Sequence, residues 1–242
     1  MKKKIIENAK TLSYALIIAL IIRSFFFQPF YIPSSSMEPN LLIGDRLFVS
    51  KYSYGYSQHS FPFSPKIFSK RILSSIPERG DVIVFKTPSD NRTDYIKRLI
   101  GLPGDTVQII DKNLYINNEI VKKKKIEVLE KINCGNQLLD VNFFEETLPN
   151  GVKHIVAYRT DGTMVNSDKF IVPENNYFFM GDNRDCSRDS RFLSSVGYVK
   201  FNNLVGKARL IFFSNDVNKG SFYKFWKWSE SFRIKRFFSK II

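Results

Sequence analysis

The sequence predicts a mainly β protein, an antiparallel β-sheet body with an inserted β lobe, preceded by one N-terminal transmembrane helix. Three observations predict it. A single apolar run lies near the N-terminus, helical periodicity is scarce from Asp45 onward, and short β-rich runs bounded by Gly, Pro, Asn and Asp recur through the rest. With 242 residues the chain is long enough for one sizeable domain and a smaller lobe.

The first element is carried by TLSYALIIALIIRSFFF, Thr11 to Phe27. Its uninterrupted core, Leu12 to Ile22, is short, but extension through Phe25 to Phe27 gives a helix of roughly 27 Å, close to the thickness of a hydrocarbon core. A cleaved signal peptide is the alternative. No A-x-A-like site follows the run, and Phe25, Phe26, Phe27 and Phe30 suit a membrane boundary, so a retained anchor is expected. Lys2, Lys3, Lys4 and Lys10 precede it and only Arg23 lies near its far end, which puts the N-terminus in the cytoplasm and everything after Pro29 on the outer face of the membrane.

The body follows as RLFVSKY (Arg46 to Tyr52), DVIVFK (Asp81 to Lys86), DYIKRLIG (Asp94 to Gly101), DTVQII (Asp105 to Ile110), NLYINNEIV (Asn113 to Val121), HIVAYRT (His154 to Thr160), NYFFMG (Asn176 to Gly181) and KARLIFF (Lys207 to Phe213). Spacing of this kind with turn signals between reads as antiparallel strands. The expected organisation is a cytoplasmic N-terminus at 1–10, an anchor at 11–29, a core from 30–107 and 175–215, an inserted lobe at 108–174 and a basic aromatic tail at 216–242. Ser53 to Pro77 reads as an aromatic loop able to touch the bilayer, and Lys122 to Lys125 as a solvated strand edge. The tail, with Lys and Arg interleaved among Phe and Trp, reads as an interfacial amphipathic helix or a partly ordered terminus.

Lys plus Arg number 37 against 23 Asp plus Glu, a formal net charge of +14 that suits anionic partners. No helix-turn-helix, zinc-finger or RNP-like pattern provides base readout, so membrane lipid is favoured over nucleic acid. Cys134 and Cys186 are the only cysteines. They lie far apart without CxxC spacing, so neither a zinc site nor a disulfide framework is supported; free thiols are expected, with one long-range disulfide the less favoured reading.

The chain holds only two histidines, His59 and His154. His59 falls in the Ser/Phe-rich loop, where mobility argues against a general base, and His154 opens a strand, where a satisfied strand histidine is the ordinary reading. A Ser-His-Asp triad is thus poorly supported, and a Ser-Lys dyad is the alternative. At a free pKa near 10.4 only about one lysine in two thousand is neutral at pH 7, so the site must lower that value by roughly two to three units. Lys97 is the best candidate, because Tyr95, Ile96, Leu99 and Ile100 flank it and Gly101, Pro103 and Gly104 turn the chain directly afterwards.

Four local patterns add to this: PSSSMEPNLLIGDRLFVSK (Pro33 to Lys51), RGDVIVFKTP (Arg79 to Pro88), DYIKRLIGLPGDTV (Asp94 to Val107) and GDNRDCSRDSR (Gly181 to Arg191). In this order and behind an anchor, the chain resembles the bacterial type I signal peptidases, membrane-bound serine proteases that remove signal peptides from exported proteins. The resemblance implies that Ser36 is the nucleophile and Lys97 its general base, and that Ser34 and the Ser36 backbone N–H form the oxyanion hole. It further implies that Ser187 orients the lysine amine and that Asp189 and Arg191 brace the site. Phe30, Ile32, Met37, Leu41, Leu47, Val84, Tyr95 and Ile96 are expected around shallow apolar subsites that accept small side chains one and three residues before the cut, with Ala-x-Ala-like sites as the outcome. Signal peptides are the expected substrates, with no cofactor and no metal, and protein partners are left open; the resemblance also implies a place in the bacterial inner membrane with the body on its periplasmic face.

Departures from the family pattern are Asn40, Cys186 and the missing Trp-Gly in FLSSVGYV. Two rivals differ in kind: a self-cleaving repressor-type Ser-Lys protease, which would need a DNA-binding domain where this chain has its anchor, and a basic membrane-tethered binding module without activity.

Overall fold

Neither Gly nor Pro occurs between Lys2 and Phe27, and lysine and leucine are good helix formers, so nothing stops a helix from starting well before Thr11. In the computed structural model, which describes residues 2–65, 70–135, 137–216, 219 and 228–242, α1 runs over Lys2–Ile21 and continues through a π-helical turn at Ile22–Phe26. The 24 residues from Lys3 to Phe26 form one helix long and apolar enough to cross a membrane, about 36 Å at 1.5 Å per residue. Pro29 cannot continue it, and the chain passes directly into a strand.

The strands in chain order are β1 (Phe27–Tyr31), β2 (Asp45–Ser50), β3 (Val82–Lys86), β4 (Asp94–Gly101), β5 (Thr106–Ile110), β6 (Asn113–Ile116) and β7 (Glu119–Ile120). They continue as β8 (Lys122–Cys134), β9 (Gln137–Thr147), β10 (Lys153–Arg159), β11 (Phe170–Ile171), β12 (Asn176–Met180), β13 (Val199–Lys200) and β14 (Leu204–Ser214). A short α2 (Trp228–Ser231) and β15 (Ser239–Lys240) close the chain. The main sheet has the order β1-β2-β14-β3-β4-β12-β13, with β15 added to β14, and β11-β5-β6-β7 and β10-β9-β8 form two further sheets. All the strand pairings are antiparallel, so the expected mainly β architecture is what the chain adopts.

β3 shows why the body is stable. Its side chains alternate between two cores: Val82 and Val84 pack with Met37, Leu41 and Leu47, while Ile83 and Phe85 pack with Leu99 and Phe179. A strand buried on both faces must read as a continuous apolar run, as VIVF does. A third cluster joins Ile100 and Phe178 of the main sheet to Ile109, Leu114 and Ile116, which fastens the β5–β7 sheet to the body. The long hairpin of β8 and β9 has only a small cluster of its own, Ile132, Val141, Phe143 and Ala157.

Four expectations are corrected here. Cys134 and Cys186 are joined by a disulfide across 52 residues, because the tip of the β8–β9 hairpin folds back onto the loop after β12. His59 is not in a mobile stretch: it is buried in a 3₁₀ turn whose Ser57 and Ser60 form a reciprocal cap, and its Nδ1 lies 3.0 Å from Ser64 Oγ. His154 is buried yet unsatisfied, with no hydrogen bond at either ring nitrogen. The described part of the tail does not form a free amphipathic helix; β15 pairs with β14, and Arg236 binds Asp45 at 2.6 Å. Residues 66–69 of the aromatic loop and 220–227 of the tail lie outside the described residues. The lysine run does lie on an edge strand, β8, with Lys122, Lys124 and Lys125 exposed and Lys123 half-buried against the rings of Phe144 and Tyr158.

Candidate active site

After Tyr31 the chain leaves the sheet edge, and Ile32 is pinned on both sides, its N–H to Asp45 O at 2.9 Å and its carbonyl to Gly44 N at 3.0 Å. The next residues turn tightly, with Glu38 N donating to Ser35 O and Leu41 N to Met37 O. Met37 and Leu41 point into the core and are fully buried, so the turn is nailed down just beside Ser36. Asn183 completes the hold, its backbone N–H donating to Ser36 O at 3.2 Å and its side-chain amide to Ser35 O at 3.1 Å.

Lys97 comes from the middle of β4, opposite Ile83, on the face that strand alternation also gives to Tyr95 and Leu99. Its Nζ donates to Ser36 Oγ at 2.6 Å and to the Ile96 carbonyl at 2.9 Å. The side chain is 3% exposed. Burial pushes its pKa down to about 8 against the opposing pull of Asp189 and Asp182. Ser34 Oγ lies 3.3 Å from Ser36 Oγ.

The loop after β12 supplies the floor. Asp189 takes a two-pronged pair from Arg191, at 2.8 Å to each oxygen, and accepts the Gly181 N–H at 2.9 Å. Burial alone would raise the Asp189 carboxyl, but Arg191, that N–H and Ser187 outweigh it and hold the group below its ordinary value. Ser187 is buried and makes no hydrogen bond to Lys97; the Ile96 carbonyl fixes the amine instead. A Cβ at Gly181 would collide with Ser187 Oγ and the Ser36 carbonyl, so glycine is what lets the two loops touch. One residue on, Asp182 takes both prongs of Arg98 at 2.8 Å and the Asn40 amide at 2.7 Å. Gly181 and Asp182 lie inside GDNRDCSRDSR, whose density was their only signal, Arg98 lies inside DYIKRLIGLPGDTV without having been singled out, and Asn40 entered only as a departure from the family pattern.

A cleft of about 820 Å³ opens over Ser36 and Lys97. Phe30, Ile32, Val84, Tyr95 and Ile96 line it as expected, while Met37, Leu41 and Leu47 do not. Those three are fully buried behind the wall, since the turn and β2 direct them into the core. Tyr31, Ile43, Asp94, Gly135, Cys186 and Arg188 line it in addition, and none was expected there. Neither histidine borders the cleft; His154 sits between Glu146 and Asp182, at 3.7 and 3.9 Å. Among the described residues, no group of three His, Cys, Asp or Glu side chains is placed to hold a metal ion.

The family model described as signal peptidase, peptidase S26, matches residues 5–213. The chain is 40% identical over 253 residues to signal peptidase I of Rickettsia canadensis (strain McKiel), with 97% of this chain and 93% of the relative covered. It is 38% identical over 257 residues to signal peptidase I of Rickettsia typhi (strain ATCC VR-144 / Wilmington), with 99% and 95% covered. A solved signal peptidase I from Enterococcus faecalis V583 is 29% identical, with 55% of this chain and 97% of that one covered and a TM-score of 0.33.

Proposed function

The chain belongs to the signal peptidase family, peptidase S26, and is a signal peptidase hydrolase; from that premise we propose that it cleaves by a Ser36–Lys97 dyad. The observation that carries this is the contact of a buried amine with a hydroxyl, Lys97 Nζ to Ser36 Oγ at 2.6 Å. Neutral Lys97 takes the Ser36 proton as Oγ adds to the scissile carbonyl. The developing oxyanion is received by the Ser36 N–H and the Ser34 hydroxyl, which swings from its present place beside Ser36 Oγ. Collapse breaks the C–N bond, the lysine ammonium returns its proton to the leaving amine, and an acyl-enzyme forms on Ser36. Water, deprotonated by the same lysine, then releases the signal peptide. Asp189 and Arg191 brace the floor, and Ser187 acts through that floor on the position of Lys97. The tethered binding module has no use for such an amine.

Small-x-small specificity belongs to this reading, with Phe30, Ile32, Val84, Tyr95 and Ile96 forming the apolar wall of the cleft beside Ser36. β4 is paired to β12 only from Arg98 onward, so the backbone of Asp94 to Lys97 has a free edge where a substrate strand can add. In this reading α1 is a retained anchor with the N-terminus in the cytoplasm, and lipid surrounds it. The disulfide supports placing the body outside, where thiols oxidise.

The test is incubation of the purified full chain with a preprotein in detergent, reading the new N-terminus by mass spectrometry. Cleavage after a small-x-small sequence that is lost in folded Ser36→Ala and Lys97→Ala variants is expected. Undiminished cleavage by either variant would overturn the dyad.

A further inference from the structure

The cleft has two ends with different chemistry. Phe30 and Asp94 also line a neighbouring pocket with Arg23 and Gln28, so that end of the cleft adjoins the end of α1, and Asp94 is neutralised there by Lys86 at 2.9 Å. Gly135, Cys186 and Arg188 line the cleft but not that pocket, so they form a rim away from α1; a polypeptide entering from the α1 end would carry the residues beyond the scissile bond past this rim.

This rim is a built structure. The Cys134–Cys186 disulfide joins the hairpin tip to the loop that bears Arg188, and Asn183 donates to both Ser35 O and Asn133 O, so hairpin, nucleophile turn and loop are stitched at one place. The three arginines of GDNRDCSRDSR have separate fates. Arg184 is buried against Glu146 and Arg191 is paired with Asp189. Arg188 is exposed, and among the described residues it has no ion pair and no hydrogen bond. A cation fixed at the exit of a cleft, two residues from a disulfide, has its backbone position set while its charge stays unused.

Resting on the Ser36–Lys97 reading, we propose that Arg188 is a specificity-determining residue that receives a carboxylate, an Asp or Glu side chain, from the first residues of the polypeptide released after the cut. The interaction is an exposed ion pair, modest in size and screened by salt.

Two synthetic peptides, identical through the cut and differing only as Glu or Gln at the second residue after it, test this with the full chain in neutral detergent. Wild-type kcat/KM is expected to be about three- to five-fold higher for the Glu peptide at low salt, a ratio that falls toward one at high salt. Arg188→Gln is expected to bring the ratio near one, and Arg188→Glu to reverse it. Equal cleavage of both peptides by the wild type, or a ratio that survives Arg188→Gln, overturns the exit subsite while leaving the dyad intact. Failure to cleave either peptide overturns the dyad reading and this one with it.

Discussion

Lys51 and Lys97 are both buried lysines whose amines burial drives far below the ordinary value, to about 7 and about 8. Among the described residues Lys51 Nζ meets only the His59 carbonyl, at 3.2 Å, and a carbonyl offers no proton to take. Lys97 meets a hydroxyl, so in the proposed dyad position rather than basicity selects the base. The neutral amine is the working form in that proposal, hence log kcat/KM should climb with a slope near one up to about pH 8 and then level off. A pH profile flat from pH 6 to 9 would contradict this. The unfolded chain holds the Lys97 proton up to its ordinary 10.5 and the folded chain loses it near 8, so stability rises between those values as pH increases. Below pH 8 the folded state carries the full penalty, about 3 kcal/mol. Lys97→Met should therefore abolish cleavage yet raise the denaturant midpoint at pH 7, by about 2 to 3 kcal/mol of stability. At Gly181 the added methyl of Gly181→Ala would push the Ser36 and Ser187 loops apart, and an activity loss of about a hundred-fold or more with the fold retained is expected in the peptide assay.

The β8–β9 hairpin was the least legible element. The stretches KKKKIEVLEKINC and QLLDVNFFEET mix charge and apolar residues without turn punctuation until Gly135, because only a small cluster backs them and few of their described side chains are buried. β3, β4 and β12 were legible for the opposite reason, since burial on both faces demands runs of Val, Ile and Phe. The hairpin nonetheless reaches the site: Asn133 donates from its backbone and side chain to Glu38 at 3.0 and 3.1 Å, and the disulfide follows at once. Replacing Cys134→Ser and Cys186→Ser together should lower stability by about 2 to 4 kcal/mol in denaturant titration and reduce kcat, since the nucleophile turn loses its outer brace. Unchanged stability and turnover would show the hairpin to be a bystander.

Across the molecule, the main sheet and the β8–β10 sheet meet at a buried charge cluster, in which Arg98 pairs with Asp182, Arg184 with Glu146, and Arg98 also donates to Gly80 O and Ile242 O. Asp182→Ala would leave the Arg98 guanidinium buried without its counter-charge, and a loss of about 3 to 5 kcal/mol, read in thermal or denaturant unfolding, is expected. By itself the sequence determined the apolar N-terminal helix and the antiparallel β body, and it pointed to Ser36 and Lys97, whose side chains the fold brings to 2.6 Å. Each of these is written in local terms: a hydropathy run, a period of two, a serine or lysine inside a recognisable short pattern. Only the tertiary structure decided that Met37, Leu41 and Leu47 are wall supports, that the two cysteines are joined, that the tail folds back on β14, and that Arg188 alone of three neighbouring arginines is left unpaired. Those outcomes depend on which surfaces meet across long stretches of chain, 28 to 30 residues between β14 and β15 and 52 between the two cysteines, and pairing over such distances is set by the packing of whole sheets, which no short stretch of sequence encodes.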